Sequence, residues 1–175
     1  DIAYFNINLK DRITWLPGGD ALRPGVWVPI NISETNNSGL EILSTYTLGV
    51  FENKLDVNMN YNYTIAKNKE TYKLLPFVPR HVFNSNISYS LSKISFFVQQ
   101  IYNGSIFTTQ SNSPDFTNDA FYLLNFGGNY HIKQKNKNPI RIGLKINNVF
   151  DHKYNIVQNR PMPGINYNLN INYKF

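Results

Sequence analysis

The last twelve residues, Gly164-Ile165-Asn166-Tyr167-Asn168-Leu169-Asn170-Ile171-Asn172-Tyr173-Lys174-Phe175, alternate between apolar and polar side chains. Successive side chains of a β-strand point to opposite faces, so this segment is predicted to be a strand with one apolar and one polar face. In a water-soluble sandwich the apolar face would form the core. In a transmembrane barrel the apolar face would meet lipid and the asparagine face would line the lumen. The rest of the chain decides between these two folds.

The composition of the 175 residues excludes several classes of protein. No run of about 18 apolar residues occurs, so a transmembrane helix is not expected. The absence of cysteine excludes disulfides and thiolate metal sites. The formal charge of +6 comes from scattered basic residues, apart from Lys133-Gln134-Lys135-Asn136-Lys137-Asn138, and no basic face with interleaved aromatics indicates a nucleic-acid partner. The chain begins at Asp1 without a signal peptide, so we expect a mature piece or a fragment of an exported protein.

Alternation of this kind recurs along the chain and predicts eight strands. These strands are expected at about 2–16, 30–48, 55–65, 83–91, 94–103, 120–132, 139–150 and 164–175. The connections alternate between long (17–28, 66–74, 104–118, 151–163) and short (49–53, 92–93, 133–138). Short periplasmic turns and long extracellular loops are typical of outer-membrane β-barrels, whereas a sandwich follows no such rule.

The two faces of the predicted strands support the barrel. Each apolar face covers about 9–11 residues, which is enough for a tilted crossing of the bilayer. The asparagines of the third and last strands would be costly in a dry core and are cheap against a wet lumen. In the first strand the predicted apolar face consists of Ala3, Phe5, Ile7, Leu9, Ile13 and Trp15. Asp11 interrupts that face, so we expect it above the membrane. The first half of the second strand, 31–38, is polar on both faces and is either a strand above the membrane or a loop.

Three segments resemble one family, the TonB-dependent outer-membrane receptors. The segment Asn31-Ile32-Ser33-Glu34-Thr35-Asn36-Asn37-Ser38-Gly39-Leu40-Glu41 resembles their Asn-to-Gly-hydrophobe-Glu strand. Val78-Pro79-Arg80-His81-Val82-Phe83-Asn84 resembles the start of another strand. Asn147-Asn148-Val149-Phe150-Asp151-His152-Lys153-Tyr154, Arg160-Pro161-Met162-Pro163-Gly164 and the terminal Phe175 resemble their C-terminal signature, with Ile165 where the family often has Arg. Trp15-Leu16-Pro17 and Trp27-Val28-Pro29 are most similar to the cobalamin (vitamin B12) receptors of Bacteroidetes-type bacteria.

This resemblance implies a fold and a set of partners. The family combines an N-terminal plug with a barrel of 22 antiparallel strands, so residues 1–175 would be the C-terminal part, the last third of the barrel. The plug, the earlier strands and the TonB box would then be absent. The implied function is outer-membrane uptake of a scarce large nutrient, with cobalamin as the first choice and a ferric siderophore or haem as the alternative. The implied partners are this ligand, outer-membrane lipid, the TonB complex through the missing N-terminal part, and the barrel-assembly machinery.

Residue roles follow from the predicted faces and loops. Enzymatic activity, a cofactor and a metal site are not expected, because His81, His131 and His152 lack a nucleophile motif or metal-ligand spacing. The predicted lumen-wall charges are Glu41, Asp56, Arg141 and Lys145. The substrate-binding candidates are aromatic residues on polar loop segments: Trp27, Tyr72, Phe107, Phe116 and Tyr154. Tyr173 and Phe175 resemble the terminal signal that the barrel-assembly machinery recognises.

Two other architectures remain open from the strand count. Eight strands suffice for a small closed barrel filled by side chains, which would serve a structural or adhesive role in the outer membrane. A soluble lipocalin-like binder is also possible, although asparagine-lined faces disfavour it.

Overall fold

The computed structural model describes residues 1–18, 26–51, 53–134 and 137–173. The strands are β1 Ile2–Gly18, β2 Val26–Val50, β3 Asn53–Asn68, β4 His81–Ser90, β5 Ile94–Asn103, β6 Ile106–Phe107, β7 Thr117–Asn118, β8 Phe121–Gln134, β9 Lys137–Asn147, β10 Asn155–Val157, β11 Arg160–Pro161 and β12 Asn166–Tyr173. A 3₁₀ turn covers Pro114–Phe116. Among the described residues, no helix has the length and apolar character needed to span a membrane.

Eight of these strands form one antiparallel sheet in the order β1-β2-β3-β4-β5-β8-β9-β12. Neighbouring strands in this order are also neighbours in sequence, apart from the short strands inserted in loops. The short connections β2–β3, β4–β5 and β8–β9 lie at one edge, the turn end. The long connections β3–β4, β5–β8 and β9–β12 lie at the opposite edge, the loop end. The predicted alternation of long and short connections is confirmed for these six. The predicted loop 17–28 is strand at 17–18 and 26–28, and 19–25 lie outside the described residues.

Strand register carries one apolar face across most of the sheet. The row through its centre pairs Tyr46 with Val57, Val57 with Ile87, Ile87 with Val98, Val98 with Phe126, Phe126 with Ile146 and Ile146 with Tyr167. Side chains of this face remain exposed although they are large and apolar, with Leu169 at 69% and Ile171 at 64%. The buried hydrophobic cluster is correspondingly small: Ala66 and Leu75, with Ile30 and Val78 packed against it. An extensive exposed apolar surface marks a face that meets something other than water.

The predicted apolar face of the first strand is wrong for residues 3–9. Register pairs Ala3 with Glu41 and Phe5 with Gly39, so these side chains lie on the polar face of the sheet. Ile2 and Tyr4, opposite Ile42 and Leu40, lie on the apolar face instead. Alternation within one strand separates two sets of side chains, but only the neighbouring strand determines which set points outward.

The hairpin of β1 and β2 is longer than the sequence predicted. β2 has 25 residues, and the polar segment 31–38 is strand and not loop. Trp27, predicted in a loop, belongs to β2. β3 pairs with β2 as far as Thr35, and beyond that point the hairpin leans over the β3–β4 loop, where Ile30 packs against the Ala66–Leu75 cluster. Asp11 lies in this extension and has a left-handed φ of 52°.

Candidate functional site: the polar face and the loop-end cavity

The four predicted lumen-wall charges share the polar face. Strand register sets Asp56 opposite Ser88 and Lys145 opposite Asn168, and places Glu41 opposite Asn62 and Arg141 opposite Asn172. Alternation along the interior strands therefore placed these four side chains on one face, and the structure also places them on one face. Amide and hydroxyl side chains fill the positions between the charges: Asn58, Asn60, Asn84, Asn86, Ser90, Ser95, Asn129 and Asn170.

Charges of opposite sign on one face of a sheet can form ladders between strands. Asp56 instead accepts a hydrogen bond from Thr47 at 2.7 Å and forms an ion pair with Lys54 at 2.9 Å. Lys145 donates to the amide oxygen of Gln99 at 3.2 Å. Within the described ranges, no salt bridge joins the four predicted charges to one another. The polar face is therefore a wall built mainly from amides, and its charges bind an amide or a neighbour on the same strand.

Gln99 is the centre of that wall. Its Oε1 accepts from Asn125 at 3.0 Å as well as from Lys145, so one oxygen is shared between β8 and β9. Asn125, only 5% exposed, also accepts the backbone N–H of Asn148 at 2.9 Å. The chain of contacts links the polar face directly to the start of the β9–β12 loop.

Two aromatic rings cover glycines on the same face. A Cβ added to Gly39 would lie 2.6 Å from the Phe5 ring, and one added to Gly127 would lie 2.7 Å from the Phe97 ring. Each pair is a direct cross-strand pair. Covering a strand glycine with a neighbouring ring supplies the packing that glycine lacks. Both glycines are therefore required by close approach.

A cavity of about 210 Å³ lies at the loop end, where three long loops meet. Its walls combine aromatic and aliphatic side chains with amides and one carboxylate. The lining residues are Phe77, Pro79, Asn103, Gly104, Ile106, Asn118, Asp119, Phe121, Asn155 and Ile156. This mixture offers stacking surfaces together with hydrogen-bond donors and acceptors, the usual composition of a site for a small organic ligand.

Side chain to backbone hydrogen bonds tie the three loops together around this cavity. Asn112 accepts from the Leu74 N–H at 2.7 Å and donates to the Leu74 carbonyl at 3.0 Å. Asn118 donates to the Ile156 carbonyl at 2.9 Å. Thr108, 3% exposed, contacts the β9–β12 loop through a 3.2 Å hydrogen bond to Gln158. The loops form one connected platform.

The five aromatic residues predicted to bind substrate are not among the lining residues, but three of them lie beside the cavity. The Trp27 ring lies 5.7 Å from the Phe77 ring, and the Tyr154 ring lies 4.7 Å from the Phe121 ring. Phe107 accepts the Phe77 N–H through its carbonyl at 2.9 Å. Two of the candidates therefore buttress the cavity through ring contacts, and Phe107 does so through its main chain.

The remaining two candidates are not brought to the cavity. Tyr72 is 80% exposed and has a left-handed φ of 57°, and Phe116 is 47% exposed at the end of the 3₁₀ turn. Phe77 and Phe121, which do line the cavity, were missed. Phe77 carried a usable signal, because an aromatic residue between Pro76 and Pro79 sits on a segment that cannot continue a strand ladder.

The C-terminal sequence signature acts as a structural tie. Asn148 is 3% exposed and has a φ of 50°; its side chain accepts from the His152 N–H and donates to the His152 carbonyl, both at 2.9 Å. Asp151 accepts the Ile165 N–H at 2.8 Å. Its carboxylate also lies so close to Gly164 that a Cβ at that position would clash with it. These contacts fold the β9–β12 loop back so that β12 begins beside β9.

His81 has a structural setting. It bonds the Tyr61 hydroxyl at 2.8 Å through Nδ1 and lies 5.0 Å from the Tyr63 ring, within an aromatic cluster. In the part of the chain that is described, no group of three or more His, Cys, Asp or Glu side chains is arranged to hold a metal ion. Of the two predicted assembly residues, Tyr173 closes β12, and Phe175 lies outside the described residues.

Comparison with known proteins identifies the family to which this architecture belongs. The family described as "TonB dependent receptor-like, beta-barrel" matches residues 1–149. Curated relatives include the vitamin B12 transporters BtuB of Vibrio vulnificus, 26% identical over 100% of this chain, and of Photobacterium profundum, 23% identical over 99%. This chain covers 27% of the length of each relative.

Solved structures share the fold at lower identity. The copper transporter OprC superposes with a TM-score of 0.73 at 16% identity, over 99% of this chain and 28% of OprC. The FrpB iron transporter from Neisseria meningitidis gives 0.69 at 17% identity, over 99% of this chain and 28% of FrpB. Because the family match covers residues 1–149, well over half of the chain, the chain belongs to the TonB-dependent receptor β-barrel family and is an outer-membrane protein.

Proposed function

We propose that this chain forms part of the barrel wall and the outer loops of a receptor that takes up cobalamin. The observation that carries the proposal is that both curated relatives matched over at least 99% of the chain are vitamin B12 transporters. The apolar face meets lipid and the amide-lined face borders the lumen through which the ligand passes. The chain supplies a wall and a binding surface, with no chemical step of its own.

The loop-end cavity supports a ligand of this kind. Phe77 and Phe121 present rings beside the amides of Asn103 and Asn118, and an organic ligand with a broad ring system and peripheral amides suits such a wall. The β1–β2 hairpin leans over the same loops and brings Trp27 to the rim. In the intact receptor these residues would form one side of the outer binding surface.

A ferric siderophore is the second candidate, with haem as a further variant of the same uptake function. It is favoured by the fold shared with the ferripyoverdine receptor of Pseudomonas aeruginosa, which superposes with a TM-score of 0.66 at 16% identity. The self-contained eight-stranded barrel is less well supported. β1 and β12 stand at opposite ends of the sheet order, and no described residue of one pairs with the other.

Binding of cyanocobalamin to the full-length receptor tests the proposal. We expect saturable binding, weakened about tenfold or more by Phe121→Ala, because base- or ring-stacking on an aromatic side chain contributes about 1–3 kcal/mol. Tyr72→Ala is the matched control, since it removes an exposed loop aromatic that does not line the cavity. Absence of cyanocobalamin binding together with tight ferric siderophore binding would reverse the choice of ligand.

Two partners of the receptor follow from the same proposal. The TonB complex would act through residues outside this chain, and the barrel-assembly machinery would recognise the C-terminal segment that contains Tyr173 and Phe175. Deleting Phe175 is expected to lower the amount of folded receptor in the outer membrane, measured by heat-modifiable migration in gels. Unchanged levels would remove the terminal residue from the recognition signal.

A further inference from the structure

The apolar face is not uniformly flat. A groove of about 390 Å³ runs over β5, β8 and β9 on the side that meets lipid. Its walls include Phe96, Phe126, Ile142 and Leu144, and Gly128 leaves its floor open. The Phe96 and Phe126 rings are nearly parallel, with 14° between their planes and 6.4 Å between their centroids. The groove therefore has stiff walls and a floor without a side chain.

The groove runs along the strands toward the turn end. Ile94 and Tyr130, a direct cross-strand pair, close it on that side, and Lys93 precedes Ile94 in the β4–β5 turn. The Lys93 carbonyl accepts the His131 N–H at 2.8 Å, which fixes the turn against β8. An exposed ammonium group and a tyrosine side chain thus stand where the apolar groove ends.

The sequence contains no acidic residue in 81–103 or 121–147, the β4–β5 and β8–β9 hairpins that border the groove. After Glu70 the sequence contains three acidic side chains, Asp115, Asp119 and Asp151, and all three belong to connections at the loop end. Lys93 therefore has no acidic residue within its own hairpin or in the next hairpin along the sheet. A groove with apolar walls that opens at a basic end matches a molecule with an apolar tail and an anionic head.

We propose that this groove binds one acyl chain of a glycerophospholipid in the leaflet on the short-turn side, with the lipid phosphate at Lys93. In this arrangement the chain lies over Gly128 between Phe96 and Leu144, while the head group reaches the ammonium of Lys93 and the hydroxyl of Tyr130. A second copy of the chain is a poorer occupant, because side-by-side copies in one membrane would bring two basic turn ends together. The inference depends on the outer-membrane location and not on which nutrient the receptor takes up.

Photo-crosslinking of the full-length receptor tests this inference. The receptor is placed in vesicles of phosphatidylethanolamine that contain phosphatidylglycerol with a diazirine in its acyl chain, and labelled peptides are identified by mass spectrometry. We expect label on 94–98 and 126–130 in excess of label on the outward side of β12. Leu169 in β12 is 69% exposed and supplies the internal reference for bulk lipid. Equal labelling of the groove and β12 would show ordinary solvation by lipid and overturn the proposal.

Two variants separate the tail from the head group. Gly128→Leu fills the floor and is expected to lower groove labelling about tenfold, as if about two methylenes had left the groove. Lys93→Gln is expected to lower it about two- to fivefold, the range of an exposed ion pair. Lys73→Gln, at the loop end, is the matched control and should leave labelling unchanged. Because Gly128→Leu also presses on Phe96, Lys93→Gln keeps the test valid if the first variant does not fold.

Three further outcomes would each reject the proposal. One is labelling that neither variant changes. Another is preferential labelling by a lipid A probe, which would place the site's ligand in the opposite leaflet. The third is crosslinking of the groove to another protein chain, which would make the face a protein interface. Equal competition by a diacylglycerol without phosphate would reject the role of Lys93.

Discussion

The last strand and the first hairpin show similar alternation in sequence but relate differently to the sheet. In β12 the apolar residues face outward and the asparagines face the lumen, in register with β9. In β1 the apolar residues from Ala3 to Leu9 lie on the polar face, and Asn6 and Asn8 lie on the other, where Asn36 donates to both. The apolar band ends near Tyr4, so beyond that point neither face of the hairpin needs to match lipid. Alternation therefore indicates which side chains face lipid only within the apolar band.

The largest change in stability is expected at the base of the hairpin. Gly39→Val places a side chain against the Phe5 ring and the Tyr63 carbonyl oxygen. We expect a loss of about 3 kcal/mol in the free energy of unfolding, at the upper end of overpacking in a close-packed site. Urea unfolding of the receptor in liposomes measures it. Gly49→Val is the control, because a Cβ there has no atom within 4 Å. Equal effects would show that the Phe5–Gly39 contact is unimportant.

A charge on the outward side distinguishes the two regions directly. Leu169→Arg puts a guanidinium on the lipid-facing band of β12, and we expect a loss of about 2 kcal/mol. Asn8→Arg changes an outward residue of the hairpin extension and should lose less than about 1 kcal/mol. Both are measured by the same unfolding experiment. A comparable loss for Asn8→Arg would mean that the hairpin lies in the bilayer.

The position of the start of β12 depends on the hydrogen bonds between the Asn148 side chain and the His152 backbone. Asn148→Ala removes the two 2.9 Å hydrogen bonds to the His152 backbone. We expect a loss of about 1.5 kcal/mol, because the partners are left partly unsatisfied, and faster hydrogen exchange in the β9–β12 loop. Exchange measured by mass spectrometry should rise at 149–165 and stay unchanged in the hairpin. A uniform rise would assign Asn148 to global stability and not to the tie.

The smallest effect is expected within the hairpin extension. Glu34 approaches Lys10 at 3.8 Å and Lys69 at 3.3 Å, and all three side chains are well exposed. Glu34→Gln should therefore change stability by less than about 1 kcal/mol, and less still in high salt. Unfolding at two salt concentrations checks this. A larger, salt-independent loss would indicate that the hairpin is held down by this residue.

The sequence was sufficient for the strand count, the alternation of loops and turns, and the polar face of the interior strands. These features repeat every two residues, and each strand carries enough residues to show them. The face of the sheet on which the apolar residues of β1 lie was not predictable from β1 alone, because register is a relation between two strands. The sequence also could not separate Phe121, in the cavity wall, from Phe116, outside it. Both are aromatics beside polar residues, and only the folding of the loops decides which one lines the cavity together with Phe77.

The hydrogen bonds between the outer loops have a consequence for how such a receptor can change. Asn112 and Asn118 donate to the carbonyls of Leu74 and Ile156, so these acceptors are main-chain atoms that every residue type possesses. The side chains of Leu74 and Ile156 can then be exchanged while the loops keep their mutual positions. The mutual positions of the loops and the chemistry of the cavity wall, which includes the Ile156 side chain, are thereby carried by different atoms.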